Sequence, residues 1–250
     1  MMTDKDRYFF DLNGYMYIED AIDPVDLAQL RERVSLWEEE RPEDGDTYYM
    51  HSEIIDRDET FLRLVANPRI MPYLTEMMEF PRLRRTWVKY VGPERGHHFH
   101  GSRTAALRSY SFFNGQIITG ELVAFYAVDD IGPGMGGLQV IPGSHKANFP
   151  LPEGDVSDMH RELTMKAGSC LLFTHDLYHG SFNSSNTVRR VMIFWYNQGE
   201  IESSRGLETI HEKLFEQAPE GSWAKYLLRR AEMSFPNPYP MPVDRPFEEG

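Results

Sequence analysis

Nine histidines stand in this chain, at positions 51, 97, 98, 100, 145, 160, 175, 179 and 211. Imidazole is neutral near pH 7 and is the commonest side-chain ligand for Zn, Fe, Cu and Ni. Four of these residues, His98, His100, His175 and His179, fall in β-prone stretches beside turn residues. His98 and His100 are two apart, so on a regular strand they face the same side. His179 follows the apolar run Cys170-Leu171-Leu172-Phe173 and precedes Gly180. Ligands at strand ends are held rigidly, as a metal site requires.

Other patterns that could carry chemistry fail on context. Gly132-Pro-Gly134-Met-Gly136-Gly137 satisfies G-x-G-x-x-G, but strand-like Leu138-Gln-Val-Ile141 follows it. A dinucleotide site needs a helix opening on the last glycine, so this segment reads as a turn between strands. No G-x-S-x-G elbow is present, which leaves an α/β-hydrolase unsupported. The single cysteine, Cys170, lies in an apolar strand with no neighbouring base and reads as a buried, inert thiol.

The elements that must position the histidines are short strands. From Arg84 onward β-rich runs recur between Gly, Pro and Asn: Arg85–Tyr90, Tyr110–Phe113, Gln116–Thr119, Glu121–Ala127, Leu138–Ile141, Ser169–Thr174 and Arg190–Tyr196. This spacing predicts a sandwich or barrel and not a parallel α/β sheet. Upstream, Tyr15-Met16-Tyr17-Ile18 forms one early strand. Asp23-Pro24 caps a helix running to about Glu40, with Leu27, Leu30, Val34 and Trp37 at helical spacing. A second helical stretch, Glu59 to Met78, is interrupted at Asn67-Pro68. Helices are predicted again around Glu208–Gln217 and Ser222–Met233, before a proline-rich tail from Phe235 that reads as an extended strap or loose end. The expectation is one domain over residues 1–250. Residues 1–83 form a helical N-terminal part, 84–200 a β core, and 201–250 the C-terminal helices and tail.

Charge narrows the partners. With 26 Lys+Arg against 39 Asp+Glu the net charge is −13. There is no basic stripe of the kind nucleic-acid binders show, and such a surface repels phosphate backbones and anionic membranes. No apolar run approaches the roughly 20 residues of a membrane span, and the opening MMTDKDRYFF lacks the apolar core of a signal peptide. A soluble, cytoplasmic protein acting on a small molecule is the expectation, with no nucleic-acid or membrane partner.

Two spacings sharpen the fold. Gly92, five residues, then His98-x-His100 resembles the opening of the first cupin motif. Gly168, five residues, then Thr174-x-Asp176-x-x-His179-x-x-x-Asn183 resembles the second. In this order on a β-rich chain they predict a mainly β fold with flanking α, a double-stranded β-helix (jelly roll, cupin-like), with a metal at its mouth.

Longer motifs extend the resemblance. Phe10-x-x-x-Gly14-Tyr-x-x-Ile18-Glu-Asp-Ala21-Ile, Ala127-Val-Asp-Asp-Ile131 with Gly136-Gly-Leu-Gln-Val-Ile-Pro-Gly-Ser-His145-Lys146, and Ala167-Gly-x-x-Leu-Leu-Phe173-Thr-His-x-x-x-His179-Gly-Ser-x-Asn183 with Arg189-Arg190 follow one another. Together, from about Phe9 to Tyr196, they resemble the phytanoyl-CoA dioxygenase family of Fe(II)/2-oxoglutarate oxygenases. The resemblance implies Fe(II), 2-oxoglutarate and O2 as cofactor and co-substrates, and oxidation of a small organic molecule. It implies that His179 is an iron ligand and that Ser181 and an arginine hold the distal carboxylate of 2-oxoglutarate. Arg189 is preferred to Arg190 for this role. Strand alternation turns only one of the two inward, and bidentate geometry suits arginine to a carboxylate.

The family's first ligand pair is His-x-Asp/Glu, and here the sequence departs from it. His100-Gly101-Ser102 puts Ser102 where the carboxylate belongs, and the other register, His98-Phe99-His100, puts a histidine there. Neither completes a 2-His-1-carboxylate triad. The resemblance then leaves several outcomes: His100 and His179 with a vacant position, as in halogenase-like enzymes; His98 as a third nitrogen, as in three-His cupin metalloenzymes; or a non-catalytic jelly roll that binds a small molecule without metal. The segment from Arg103 to Gly115 is expected to cover the site, with Arg103, Arg108 and Tyr110 as guesses for substrate contacts.

Overall fold

The computed structural model describes residues 2–40, 48–101, 110–199, 211–230 and 241–242. The chain enters through helix α1 (Asp4–Asn13), started by a capping box. Thr3 Oγ1 accepts from the Asp6 amide at 3.2 Å and Asp6 accepts from the Thr3 amide at 2.8 Å. Gly14 ends the helix at φ 80°, and a Cβ there would strike the His145 ring at 2.5 Å. This helix is absent from the sequence-based expectation, although the cap residues that start it are plain in the sequence.

Strand β1 (Tyr15–Ile18) and helix α2 (Pro24–Glu38) follow as expected, with Asp23 accepting from the Val25 amide at 2.8 Å and proline in the first turn. Strand β2 (Tyr48–Ser52) and the short helix α3 (Ile54–Arg57) come next. The expected second helix is split where Asn67-Pro68 predicts. A 3₁₀ segment covers Glu59–Leu64 and helix α4 covers Met71–Met77. Asn67 stabilises the break, donating to the Ala21 carbonyl and accepting from the Arg69 amide, each at 2.9 Å.

The β core holds β3 (Pro81–Val91), β4 (Arg95–His100), β5 (Ser111–Phe113), β6 (Gln116–Ile118), β7 (Glu121–Ala127), β8 (Leu138–Val140), β9 (Arg161–Leu163), β10 (Cys170–Thr174), β11 (His179–Asn183) and β12 (Arg189–Gln198). Helices α5 (Glu212–Gln217) and α6 (Trp223–Leu228) close the described chain. Residues 208–210 of the first expected C-terminal helix, 231–233 of the second and nearly all of the tail lie outside the described residues.

The strands form two antiparallel sheets and a hairpin. The major sheet runs β1-β10-β7-β12-β3-β2, the minor one β4-β11-β8-β9, and β5 pairs with β6. Neighbours in each sheet are mostly distant in sequence, as in a jelly roll. The N-terminal part is therefore more than a helical cap, because β1 and β2 supply both edges of the major sheet. Every described strand pairing is antiparallel.

The major sheet is buried on both faces, and strand alternation sorts its side chains. Along β12, Val191 and Ile193 join Val123, Phe125, Leu171 and Phe173 between the two sheets. Met192, Phe194 and Tyr196 join Tyr126 and Leu172 under the helices, with Phe10, Leu30, Phe61 and Leu74. Cys170 lies fully buried on the helix side, its thiol pushed up by desolvation. The glycine-rich segment is a turn leading into β8, with Gly134 and Gly136 at φ 73° and 75°. Its expected reading as an inter-strand turn matches the fold. No described helix is long and apolar enough to cross a membrane.

Phe194 is fully buried, and its ring meets that of Tyr126 edge-on at 5.8 Å. Phe194→Ala is predicted to destabilise the protein by about 3–5 kcal/mol, read as a shift of the urea unfolding midpoint at unchanged slope.

Candidate metal centre

The pairing of β11 with β4 creates the site. His179 pairs with His100 and Ser181 with His97, so two steps along β11 match three along β4. That extra residue is a β-bulge, which re-aims side chains. It turns His97 and His100 onto the inner face while His98 faces solvent. Opposite the bulge a side chain at Gly180 would meet the Phe99 ring at 2.7 Å and the His97 carbonyl at 2.9 Å.

His100 and His179 therefore come together as the sequence predicts, their ring centroids 4.3 Å apart. The third member of the cluster differs from the expectation. His175, from the turn after β10, lies with its ring 5.6 Å from His100 and 5.4 Å from His179. The three residues offer ligand nitrogens within 4.8 Å of one another. His98 does not belong to this group, because the bulge breaks the alternation that would have set it beside His100. Its contribution is its carbonyl, which accepts from both His97 Nδ1 and His100 Nδ1 at 3.0 Å.

Each ring is held by its Nδ1 side. His179 Nδ1 donates to the Leu177 carbonyl at 2.7 Å, and His100 Nδ1 to that of His98. A carbonyl only accepts, so both rings carry hydrogen on Nδ1 and leave Nε2 as a lone-pair donor. His175 Nδ1 lies 3.3 Å from Glu121 Oε2, near enough for electrostatic contact but outside hydrogen-bond alignment. Arg84 in turn donates to Glu121 Oε1 at 2.5 Å. A carboxylate behind the Nδ1 of a ligating imidazole is the usual orienting arrangement of metal sites. Trp195 stacks on His175 at 4.4 Å, with the Arg84 guanidinium 4.4 Å from its ring.

Burial keeps these rings neutral. It pushes His175 down to about 3, with the nearby His100 and Arg84 adding to the shift, and pushes His179 well below its ordinary value. His100 is lowered for the same leading reason. Burial also raises the Glu121 carboxyl, an effect opposed by Arg84. Three neutral imidazoles, with Nε2 free on His100 and His179, are chemically what a borderline metal ion takes with few protons to displace.

The histidines open on a cavity of about 270 Å³ between the sheets. Ser181 and Arg189, both buried, line it as well. Arg189 hydrogen-bonds the Gly136 carbonyl and lies over the Phe125 ring at 5.5 Å. Burial pulls its guanidinium down to about 10, and among the described residues no carboxylate pairs with it. Arg190 points the other way, bidentate to Asp129 at 2.6 and 2.9 Å and 3.3 Å from Glu38 of α2. Alternation thus divides the arginine pair as expected, Arg189 inward and Arg190 outward. Among the described residues no aspartate or glutamate lines the cavity.

Sequence reasoning singled out His175 among four histidines but left it out of the ligand set, because its position depends on how the turn after β10 folds back. It missed Lys89, Trp87 and Trp195, which reach the cavity from the major sheet. The Trp87, Lys89 alternation on a strand carried that signal. Tyr110 does not line the cavity. Its hydroxyl donates to Asp11 Oδ1 and its amide to Asp176 Oδ2, both at 2.6 Å, which ties the end of the 102–109 segment to α1 and to the turn carrying His175. Ser102, Arg103 and Arg108 lie outside the described residues.

A jelly-roll barrel with a histidine cluster facing a buried arginine defines a protein of the cupin-like, metal-centred oxygenase fold. The sequence profile described as Phytanoyl-CoA dioxygenase (PhyH) matches residues 10–191, and the chain belongs to that family. HygX from Streptomyces hygroscopicus, solved with nickel and 2-oxoglutarate bound, is similar in fold at TM-score 0.72 and 18% identity over 79% of this chain and 88% of its own. The apoform of EctD from S. alaskensis is similar at TM-score 0.62 and 20% identity over 83% and 82%. SnoN, a non-heme alpha ketoglutarate dependent epimerase from nogalamycin biosynthesis, is similar at TM-score 0.60 and 17% identity over 77% and 79%. No curated protein matches by sequence comparison.

The tether from Tyr110 to Asp11 yields a pH test. Burial raises the Asp11 carboxyl, but hydrogen bonds from Lys146 and Tyr110 hold it below the ordinary carboxylate value. A depressed folded-state value adds stability above the unfolded value, about 4, and loses it as pH falls through the folded one. Tyr110→Phe is predicted to cost about 0.5–1 kcal/mol at pH 7, discounted for the half-exposed carboxylate. The gap from wild type should narrow below about pH 4, read by urea unfolding at both pH values.

Proposed function

We propose that the protein is an Fe(II)- and 2-oxoglutarate-dependent oxygenase acting on a small organic molecule. One observation carries the reading. Three imidazoles whose ligand nitrogens lie within 4.8 Å of one another share a cavity with a buried arginine that has no carboxylate partner among the described residues. A cavity of about 270 Å³ suits a small dicarboxylate, and the histidines suit iron.

In this reading His100 and His179 hold the metal and His175 provides the third nitrogen. Bound iron supplies dioxygen activation, coupled to conversion of 2-oxoglutarate to succinate and CO2. Arg189 pairs with the distal carboxylate of 2-oxoglutarate, and Ser181 donates a hydrogen bond to it. Both residues are preorganised by packing, so little is lost in ordering them when the co-substrate arrives. The apolar walls, with Val123, Phe125 and Phe173 among them, exclude water from the reacting centre. Glu121 holds negative charge behind His175, which offsets part of the charge that a ligating carboxylate would have provided. A third nitrogen fills the position that a halogenase-like site leaves for halide, so oxygenation is favoured over halogenation. With the Tyr110 hydroxyl engaged by Asp11, Arg103 and Arg108 are the remaining candidates for substrate contact.

Anaerobic titration with Ni(II) or Co(II), then with 2-oxoglutarate, tests the assignment. His179→Ala and His175→Ala are each expected to weaken metal binding by at least about 10–100-fold, the range already seen when only an orienting partner is lost. His98→Ala should leave it unchanged. Arg189→Met should keep the metal and lose 2-oxoglutarate. A wild-type protein that takes up no metal would sink the oxygenase and favour a binding-only jelly roll. Loss of metal in His98→Ala but not in His175→Ala would restore His98 as the ligand.

A further inference from the structure

Lys89 is the second cation of the cavity. In the β3–β12 register Lys89 lies opposite Val191 and Arg189 opposite Val91, so the lysine and the arginine are diagonal neighbours on one face. Such positions are about 7–8 Å apart at the backbone, within reach of each other for long side chains. Both line the cavity, as do Trp87 and Ile193 on the same face. The Lys89 ammonium lies 5.8 Å from the centre of the Trp87 ring.

Two like charges on the wall of a low-dielectric cavity repel, and each has lost water. Desolvation, with Arg189 adding repulsion, draws the Lys89 ammonium down to about 8. Among the described residues no ion pair to Lys89 occurs and no carboxylate lines the cavity. This happens in a chain with 39 carboxylates, so the exclusion is local. Elsewhere the buried or half-buried arginines on the same sheets have partners, Arg84 with Glu121 and Arg190 with Asp129. A core that needed only packing at position 89 would hold an apolar residue with less desolvation cost. The arrangement is offset only when an anion enters.

We infer that Lys89 acts with Arg189 on the distal carboxylate of 2-oxoglutarate and is the residue that sets the site's preference for a dicarboxylate over a monocarboxylate 2-oxo acid. The inference rests on the oxygenase reading above. Lysine supplies a point charge on a flexible stem, whereas arginine supplies the bidentate fork. The two together can hold both oxygens of one carboxylate from different strands.

The test uses the full chain loaded anaerobically with Co(II), whose absorption reports the metal site. The fluorescence of Trp87 and Trp195 reports cavity occupancy. The probes are 2-oxoglutarate and 2-oxobutyrate, which carries the same 2-oxo acid head without a distal carboxylate. Lys89→Met should weaken 2-oxoglutarate binding by about 10-fold or more, leave 2-oxobutyrate and the Co(II) spectrum nearly unchanged, and so compress the selectivity. Lys89→Arg should recover most of the lost affinity. Unchanged 2-oxoglutarate affinity in Lys89→Met, with affinity lost in Arg189→Met, would overturn the role of Lys89 and leave the oxygenase standing. An equal fall for both probes would overturn it too, because that is the signature of a structural disturbance. If wild type binds no 2-oxoglutarate, the oxygenase reading and this inference fall together.

Discussion

A guanidinium buried between two β-sheets, with no carboxylate partner among the described residues, is costly to hold, and the surrounding structure is arranged to hold it there. Isolated burial of a charge costs several kcal/mol even after relaxation. Arg189 is nevertheless kept inside, with one hydrogen bond to the Gly136 carbonyl and the face of Phe125 beside it. The offset comes from packing. The central strands β7, β10 and β12 bury side chains on both faces, so the sheet that carries Arg189 is anchored by two cores at once. Moving Arg189 out would reverse the alternation of β12. It would drive Val191 and Ile193 out of one core and Met192 and Phe194 out of the other. The arginine's inward position is thus enforced by hydrophobic pattern and not by an ionic partner. A site whose charge is fixed in this way is preorganised for an anionic ligand.

The same logic separates what the sequence makes legible from what it does not. Arg189 against Arg190 is readable because strict alternation decides it, and β12 is regular around that pair. His179 and Ser181 are readable because they sit on one face of a short strand after an unmistakable apolar run. The jelly roll itself follows from many short strands in a long antiparallel arrangement. His98 and His100 look equally readable but are not. A one-residue bulge against β11 decides which of the adjacent histidines faces in, and no local feature of Arg95–His100 announces it. The nearest signal is Gly180, whose missing side chain admits Phe99 and the His97 carbonyl. That is a cross-strand fact, invisible until the pairing is known.

His175 shows a second limit. It leaves β10 on a turn, and a turn residue has no periodicity to argue from. Its place in the cluster depends on tertiary contacts: Trp195 stacked on one side, Glu121 behind Nδ1, and the Asp176 carboxylate next to it held by the Tyr110 amide. The residues supplying these contacts come from three other parts of the chain. The family resemblance directs attention to Ser102, where a carboxylate is missing, and so frames the question as one of absence. The proposed site reframes it as one of replacement. In it position 175 would bring an imidazole, and position 121 the carboxylate one shell further out.

Moving the negative charge outward has consequences for the cavity as a whole. A ligating carboxylate would neutralise part of the metal's charge and would also attract Lys89 and Arg189. With that charge set behind His175, and with Arg84 already engaging it at 2.5 Å, the described residues that line the cavity are only positive or neutral. Its potential is then opposite in sign to that of the surface, whose net charge is −13. The surface field slows the approach of a dianion, but it is screened within about 8–10 Å at physiological salt. The cavity field is not, because low-dielectric walls focus it. An acidic protein can therefore hold an anionic co-substrate tightly.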